Sequence, residues 1–295
     1  MTPVLARQAP VAPRAQAGVA LAIVLWFIAG MSLLVAGIVS QARVDTHMAQ
    51  LHVARAKVVA AGDGAIRLRL AELLTARGSP AGEGSDAGGG YYRLGEDEVR
   101  VTLVPVAGLI DINSAAPEVL LGLFLQAGVE QDEAQALAEN VLQSRSPAAA
   151  PGAPGGSGRL EAMEYLLRVP GMSRSLLDAV RDFIVVNDSG RGNTDWSQTP
   201  EALLDVLAKA YPEQLETVRS RRADANAGPG LPGAPRAGAY RADALVRYGD
   251  KTWLRRRWLA IEKSASTALP WHSTRTEAPR VLTENSYLLG GFVDA

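Results

Sequence analysis

The sequence predicts an α+β fold: one long N-terminal helix, transmembrane and then amphipathic, packed on a small antiparallel sheet, with a large all-α domain inserted between strands. Three observations predict it. An uncharged apolar run near the N-terminus passes, without a proline, into a stretch of helical periodicity. Strand-like alternation occurs at two places far apart, around residues 99–106 and 240–261. Between them, residues 109–222 are helical in pattern and carry their own cap signals.

Composition narrows the chemistry first. The 295 residues hold 30 Lys+Arg against 31 Asp+Glu, 47% hydrophobic residues and no Cys. That length allows one large domain or two ordinary ones. The absence of Cys removes disulfides, thiolate nucleophiles, zinc ribbons and iron–sulfur clusters. A net charge of −1 lacks the basic excess of a chain that binds nucleic acid through its whole surface.

Between Arg14 and Arg43 lie 28 residues without a charged side chain, and the solid apolar part is Val19 to Val39. As a helix that part spans ~30 Å, the thickness of a bilayer's hydrocarbon core. Residues 1–18 carry Arg7 and Arg14 and no acid, which orients the N-terminus to the cytoplasm and the bulk of the chain to the far side. A cleaved secretory signal has a shorter apolar region than this. A plain membrane anchor fits the length. The junction Gln16-Ala17-Gly18-Val19-Ala20-Leu21 adds a third reading: a short basic leader ends in Gly and an uninterrupted apolar helix begins at once. This resembles a type IV pilin-like signal.

That resemblance implies a prepilin peptidase cut between Gly18 and Val19, with methylation and a mature chain beginning at Val19. Most of that family carries Glu at the fifth mature position, where this chain has Ile23. A carboxylate in hydrocarbon costs about 2.5–3.5 kcal/mol even on lenient scales, so it is kept only where it finds a partner. The K-type minor pseudopilin of the type II secretion system is the family member known to lack it.

After Val39 the pattern becomes amphipathic. Val44, Met48, Leu51, Val58, Val59, Ile66, Leu70, Leu73 and Leu74 recur among charged residues, so one helix is expected to run from the membrane into the soluble domain, over residues 19–77. The alternative is a membrane helix followed by a separate one, since Gly62 and Gly64 weaken the middle. Residues 78–90 are Gly-rich and read as a loop, with no frame for a phosphate-binding motif. A strand follows, with Val99, Val101, Leu103 and Pro105, the proline placing it near an edge. Residues 240–248 and 252–261 form a hairpin around Gly249-Asp250.

Within the helical block, Gln131 to Arg145 presents Ala134, Leu137, Val141 and Leu142 on one face. Ser173 caps a helix bearing Leu176, Leu177, Val180, Phe183 and Ile184. Thr199-Pro200-Glu201 opens another, over Ala202 to Lys209, with Thr199 as cap. Pro117–Phe124 (PEVLLGLF) echoes Pro200–Leu207 (PEALLDVL), as two related helical subunits would.

Two further runs carry the resemblance. Asp111-Ile112-Asn113-Ser114-Ala115-Ala116-Pro117-Glu118 is similar to the segment that opens the inserted helical domain of K-type minor pseudopilins. Leu160 to Met172, with Val169-Pro170-Gly171-Met172 at its end, is similar to a second segment of that domain. The run Ser189 to Thr194, with Asn193, is a looser match. The resemblance divides the chain into a leader (1–18), the long helix (19–77, transmembrane over 19–39), a pilin-like α/β domain (91–108 and 237–263), an inserted helix-hairpin-helix-like domain (109–222) and a tail (264–295) that matches nothing. It implies a tip subunit of the type II secretion pseudopilus, single-pass in the inner membrane with its bulk in the periplasm. The implied partners are the I-type and J-type minor pseudopilins, the major pseudopilin, the inner-membrane assembly platform and prepilin peptidase.

Rival chemistries use some of the same residues. Val169-Pro170-Gly171 also resembles the turn of a DNA-gripping helix-hairpin-helix, as in a membrane-anchored DNA-uptake protein. Residues 109–222 carry 16 Asp+Glu against 10 Lys+Arg, the wrong sign for neutralising phosphates. Enzymatic readings are thin: His47 and His52 are five apart on the long helix, His272 is isolated, and no Gly-x-Ser-x-Gly occurs. The resemblance also implies calcium as a cofactor, since some pseudopilins use it, with Glu96, Asp97, Asp243 and Asp250 as the candidate oxygen ligands. Arg255-Arg256-Arg257 alternates with apolar residues around it and reads as a solvated strand face.

Overall fold

A computed structural model of the chain describes residues 17–75, 89–145, 159–186, 194–227, 238–262 and 269–282. The leader before Ala17, most of the Gly-rich loop, the Ser146-Pro147 helix end, the Asn193 run and much of the C-terminal tail lie outside the described residues. The chain divides into two units, residues 1–56 and 57–295.

The described residues of the first unit are helical. They belong to α1, Ala17–Thr75, one helix of 59 residues with no break at Gly62 or Gly64. From Leu21 to Val39 its large apolar side chains are exposed, with Trp26 at 82%. Its most apolar window has a mean hydropathy of 2.5 and none of it buried, so it is long and apolar enough to cross a membrane.

The second unit is layered, with a six-stranded sheet between the end of α1 and the helical insert. The sheet runs β1 (Gly90–Leu94), β2 (Asp97–Pro105), β5 (Gly238–Tyr248), β6 (Lys251–Ile261), β7 (Trp271–Thr276), and β8 (Arg280–Val281) also pairs with β6. All these pairings are antiparallel. Two tight turns make the hairpins, with Gly95 at φ +67 and Gly249 at φ +62, a backbone region that glycine enters without penalty. β2 is an interior strand between β1 and β5, which corrects the edge placement. Pro105 is tolerated because it is the last residue, where a missing N–H costs the ladder least.

Period two decides which residues meet each layer. Val99, Val101, Ala244 and Val246 face α1, whose buried stripe here is Val58, Ala61, Ala65, Ile66, Leu70 and Leu73. Gly62 is small for a reason of packing. A Cβ there would sit 2.8 Å from Arg255 Cβ and Cγ, so the helix backbone rests directly on β6.

The insert runs from Val106 to the start of β5. It contains β3 (Ile110–Asp111), α2 (Pro117–Gln126), α3 (Gln131–Ser144), a 3-10 helix (Met163–Arg168), α4 (Arg174–Val180), β4 (Ile184–Val185), α5 (Glu201–Ala210) and α6 (Pro212–Ala227). It is not wholly helical: β3 and β4 pair in parallel, Ile110 with Ile184. Hence α4 stops at Val180, and Phe183 and Ile184 reach the core from a turn and a strand rather than from a helix. Ser173 caps α4 as expected, accepting from the Leu176 N–H at 3.1 Å. Thr199 does not cap α5; its buried hydroxyl donates to the Gly108 carbonyl, and Pro200 occupies the cap.

The echoed helices α2 and α5 pack on each other. A Cβ at Gly122 would lie 3.0 Å from the Val206 carbonyl, and the equivalent residues Gln126 and Lys209 hydrogen-bond. The insert core gathers Leu120, Leu123, Phe124, Leu137, Val141, Leu166, Ile184 and Val206, and includes Val104 and Trp258 of the sheet. Insert and sheet therefore share apolar contact, and the tail contributes two strands, β7 and β8, to that sheet.

Candidate functional site

Gly18 and Val19, the expected processing junction, both lie in the first turn of α1. Ile23 is 64% exposed on its apolar half. Phe27, Met31, Val35, Ala36, Val39 and Val44, together with Ser32, Ser40 and Arg43, line an open groove along the same stretch. Nothing lies within 4 Å of a Cβ at Gly30 or Gly37, so no contact among the described residues requires glycine there. Small residues at such positions let another helix approach closely in a bilayer.

The motif residues of the insert are joints. Asp111 turns the chain into α2: its Oδ1 accepts from the Asn113 N–H at 3.1 Å and its Oδ2 from the Ser114 hydroxyl at 3.0 Å. Asn113 reaches across the insert to Leu160, donating to its carbonyl and accepting from its N–H, both at 2.9 Å. A side-chain amide thus pairs with backbone as a strand would. Pro117 opens α2 at its first position, where a missing N–H costs nothing, and Glu118 in the same turn accepts from the Tyr211 hydroxyl at 3.4 Å. Arg145 holds the turn from below through the Ile112 and Ala115 carbonyls at 2.9 and 2.7 Å.

Val169-Pro170-Gly171-Met172 is a β-turn closed by the Met172 N–H on the Val169 carbonyl at 3.1 Å. Gly171 at φ +85 is the position of a type II turn that needs glycine, with Pro before it. The Pro170 carbonyl accepts from Asn140 at 3.1 Å. The turn joins a 3-10 helix to the seven-residue α4 inside an acidic insert, poor ground for gripping phosphates.

Sequence reasoning missed the most highly charged part of the molecule. Arg255, Arg256 and Arg257 are not a solvated face: Arg255 and Arg256 are 5% and 2% exposed. The pleat sends them to opposite layers. Arg255 makes a two-pronged contact with Asp63 of α1, at 2.9 and 3.1 Å, and Arg257 lies 3.0 Å from the same carboxylate. Arg256 points the other way, to Asp243 at 2.6 and 3.0 Å and to Asp182 of the insert at 2.6 Å. Arg241 donates to Asp243 at 2.9 Å and to the Asp182 carbonyl at 2.5 Å. Arg280, in β8, lies 2.8 Å from both Asp182 oxygens.

Burial acts to raise the Asp182 pKa, but Arg256, Arg280 and Arg241 together outweigh it and hold the carboxyl at about 2. Burial likewise works against ionised Glu277, and is outweighed by the Trp258 N–H with Arg256 and Arg275, so its pKa is lowered. Burial of Arg256 is overcome by Asp243 and Asp182, which raise its pKa.

The same network corrects one calcium assignment. Asp243 is buried and its oxygens are taken by Arg241 and Arg256, so it has no carboxylate face left for a cation. Glu96 and Asp97 lie at the β1–β2 turn and Asp250 at the β5–β6 turn. Among the described residues no group of three or more His, Cys, Asp or Glu is placed to hold a metal ion.

No protein-family model matches the chain, and no curated protein matches it. Among solved structures it is similar to a chain of the GspK-GspI-GspJ complex from the enterotoxigenic Escherichia coli type 2 secretion system. That likeness has 11% sequence identity, 81% coverage of this chain, 99% coverage of that chain and a TM-score of 0.45. The α+β class itself rests on the topology described above: a long helix on an antiparallel sheet, with helices inserted between two neighbouring strands.

Proposed function

We propose that this chain is a K-type minor pseudopilin: a non-enzymatic tip subunit of a type II secretion pseudopilus, anchored in the inner membrane with its bulk in the periplasm. One observation carries the reading. A basic leader ends at Gly18, and the apolar helix that starts there continues unbroken to Thr75, where its last turns lie on an antiparallel sheet. Such a helix serves as anchor before assembly and as packing stripe afterwards, since the large apolar side chains of its first half are exposed among the described residues. Ile23 in place of a carboxylate suits a subunit that ends a fibre rather than repeats within it. The residues shared with the family's insert motifs (Asp111, Asn113, Pro117, Glu118, Pro170 and Gly171) sit at joints of the insert, where a fold needs them.

The partners under this reading are I-type and J-type minor pseudopilins, the major pseudopilin, the assembly platform and prepilin peptidase. The test is maturation. Co-expressed with prepilin peptidase, the full chain is expected to yield a mature protein beginning at Val19, and Gly18→Phe to leave the precursor uncut. A chain that keeps its leader beside an active peptidase, or matures normally with Phe at 18, rules the reading out.

A further inference from the structure

We infer that the C-terminal segment Trp271–Leu282 is a releasable strap that clamps the helical insert onto the sheet and fixes its orientation. The inference is independent of the assembly role proposed above. β7 and β8 lie along one edge of β6, pairing with Arg257–Ile261 and Trp253–Leu254. Between them the Glu277 N–H donates to the Arg256 carbonyl at 3.2 Å, and its own carbonyl accepts from Arg255 at 2.6 Å. The strap ends with the Leu282 N–H on the Thr252 carbonyl at 2.9 Å.

From this track two side chains reach the insert at adjacent residues, with opposite signs. The Glu277 carboxylate lies 3.8 Å from Arg181, and Arg280 lies 2.8 Å from both oxygens of Asp182. Glu277 is itself aimed by the Trp258 indole at 2.9 Å and by Arg275 at 2.7 Å. A crossed pair of this kind matches only one seating of the strap, because shifting it brings like charges together.

Charge balance makes the strap separable from what it holds. Without Arg280, the buried junction still has Arg241 and Arg256 against Asp182 and Asp243. No buried charge is stranded when the strap leaves, whereas losing Asp182 would leave Arg241 and Arg256 with the Asp243 carboxylate alone and Arg280 without its carboxylate. The strap also buries little: Ser273 to Thr276 are exposed, so it is held by edge pairing and ion pairs rather than by a core. Segments held in that way open at lower cost than the sheet they cover.

The experiment uses the full chain, in which introduced cysteines are the only thiols. Nitroxides at Ala136→Cys on α3 and Lys251→Cys on β6, both exposed, report the insert–sheet distance by pulsed electron resonance. One narrow distribution is expected, broadened or displaced by Glu277→Ala with Arg280→Ala and partly restored when Arg280→Lys replaces Arg280→Ala. An unchanged distribution in the double variant overturns the clamp. Amide exchange on the unsubstituted chain keeps the test alive should that variant fail to fold. Glu277 and Leu282 are expected to exchange at least tenfold faster than the β5–β6 ladder, and equal rates would overturn the strap as a separate device.

Discussion

Asp182 is the carboxylate on which the insert, β6 and β8 converge, and its ionisation is tied to the fold. Its pKa of about 2 lies below the value of roughly 3.9 expected in an unfolded chain. A depressed pKa stabilises the fold above the unfolded value, and that stabilisation is lost as pH falls from about 4 towards 2. The linkage amounts to something on the order of 2 kcal/mol. Chemical denaturation of the wild type is therefore expected to lose stability steeply across that window. Asp182→Asn would be less stable at neutral pH yet show a visibly shallower acid slope; an unchanged slope would show that Asp182 is not the linked group. Asn113 is a second residue whose role is local enough to test singly. Asn113→Ala strands the N–H and carbonyl of buried Leu160, at about 1–3 kcal/mol, and calorimetry would show this as a melting point lower by roughly 2–4 °C per kcal/mol. Sequence alone exposed Asn113 through its motif, but it hid Asp182. The burial of Arg256 depends on partners 13 and 74 residues away, and that of Arg255 on one 192 residues away. A run of three arginines in a strand carries no local sign of such partners.

At the scale of elements, what was legible depended on how local the cause was. The continuity of α1, the β5–β6 hairpin and the start of α3 follow from periodicity, a Gly-Asp turn and charge at a helix start, all readable within a few residues. β1, β7 and β8 were missed because they are short and lie at sheet edges, where exposure removes the apolar alternation that marks a strand. The β3–β4 pairing joins Ile110 to Ile184, a contact that no window of sequence contains. The glycines of α1 show the same contrast and give a paired prediction. Gly62→Ala places a methyl against Arg255, whose side chain is pinned by Asp63 and cannot swing away. The overpacking cost of about 1–3 kcal/mol should exceed the roughly 1 kcal/mol that alanine gains in a helix, so the melting point falls. Gly30→Ala and Gly37→Ala meet nothing within 4 Å and should leave folding of the isolated chain untouched. Any loss of assembly they cause would then be assigned to a partner helix.

For the molecule as a whole, the decisive asymmetry is between an N-terminal stretch with no core and a second unit with several. Leu21, Ile23, Trp26, Phe27, Leu33 and Ile38 are all more than half exposed, which is untenable in water for so many large apolar side chains on one helix. Each such side chain is worth about 1.5–3 kcal/mol when removed from water. Summed over a span of ~30 Å, that makes insertion in a bilayer effectively irreversible. Residues 57–295, by contrast, close their own structure through the α1–sheet stripe, the insert core and the buried ion pairs. Two behaviours should therefore separate cleanly at a truncation. The full chain is expected to remain with membranes through high salt and alkaline carbonate, which strip proteins held by charge alone. A chain beginning at Gln41 is expected to be released as a soluble protein. Its cooperative unfolding transition should fall within a few degrees of that of the full chain in detergent, because the described side chains that are removed, from Ala20 to Ser40, are all exposed. Carbonate release of the full chain would dismiss the anchor, and a non-cooperative melt of the truncated one would mean that the helix before Gln41 is part of the folded core after all.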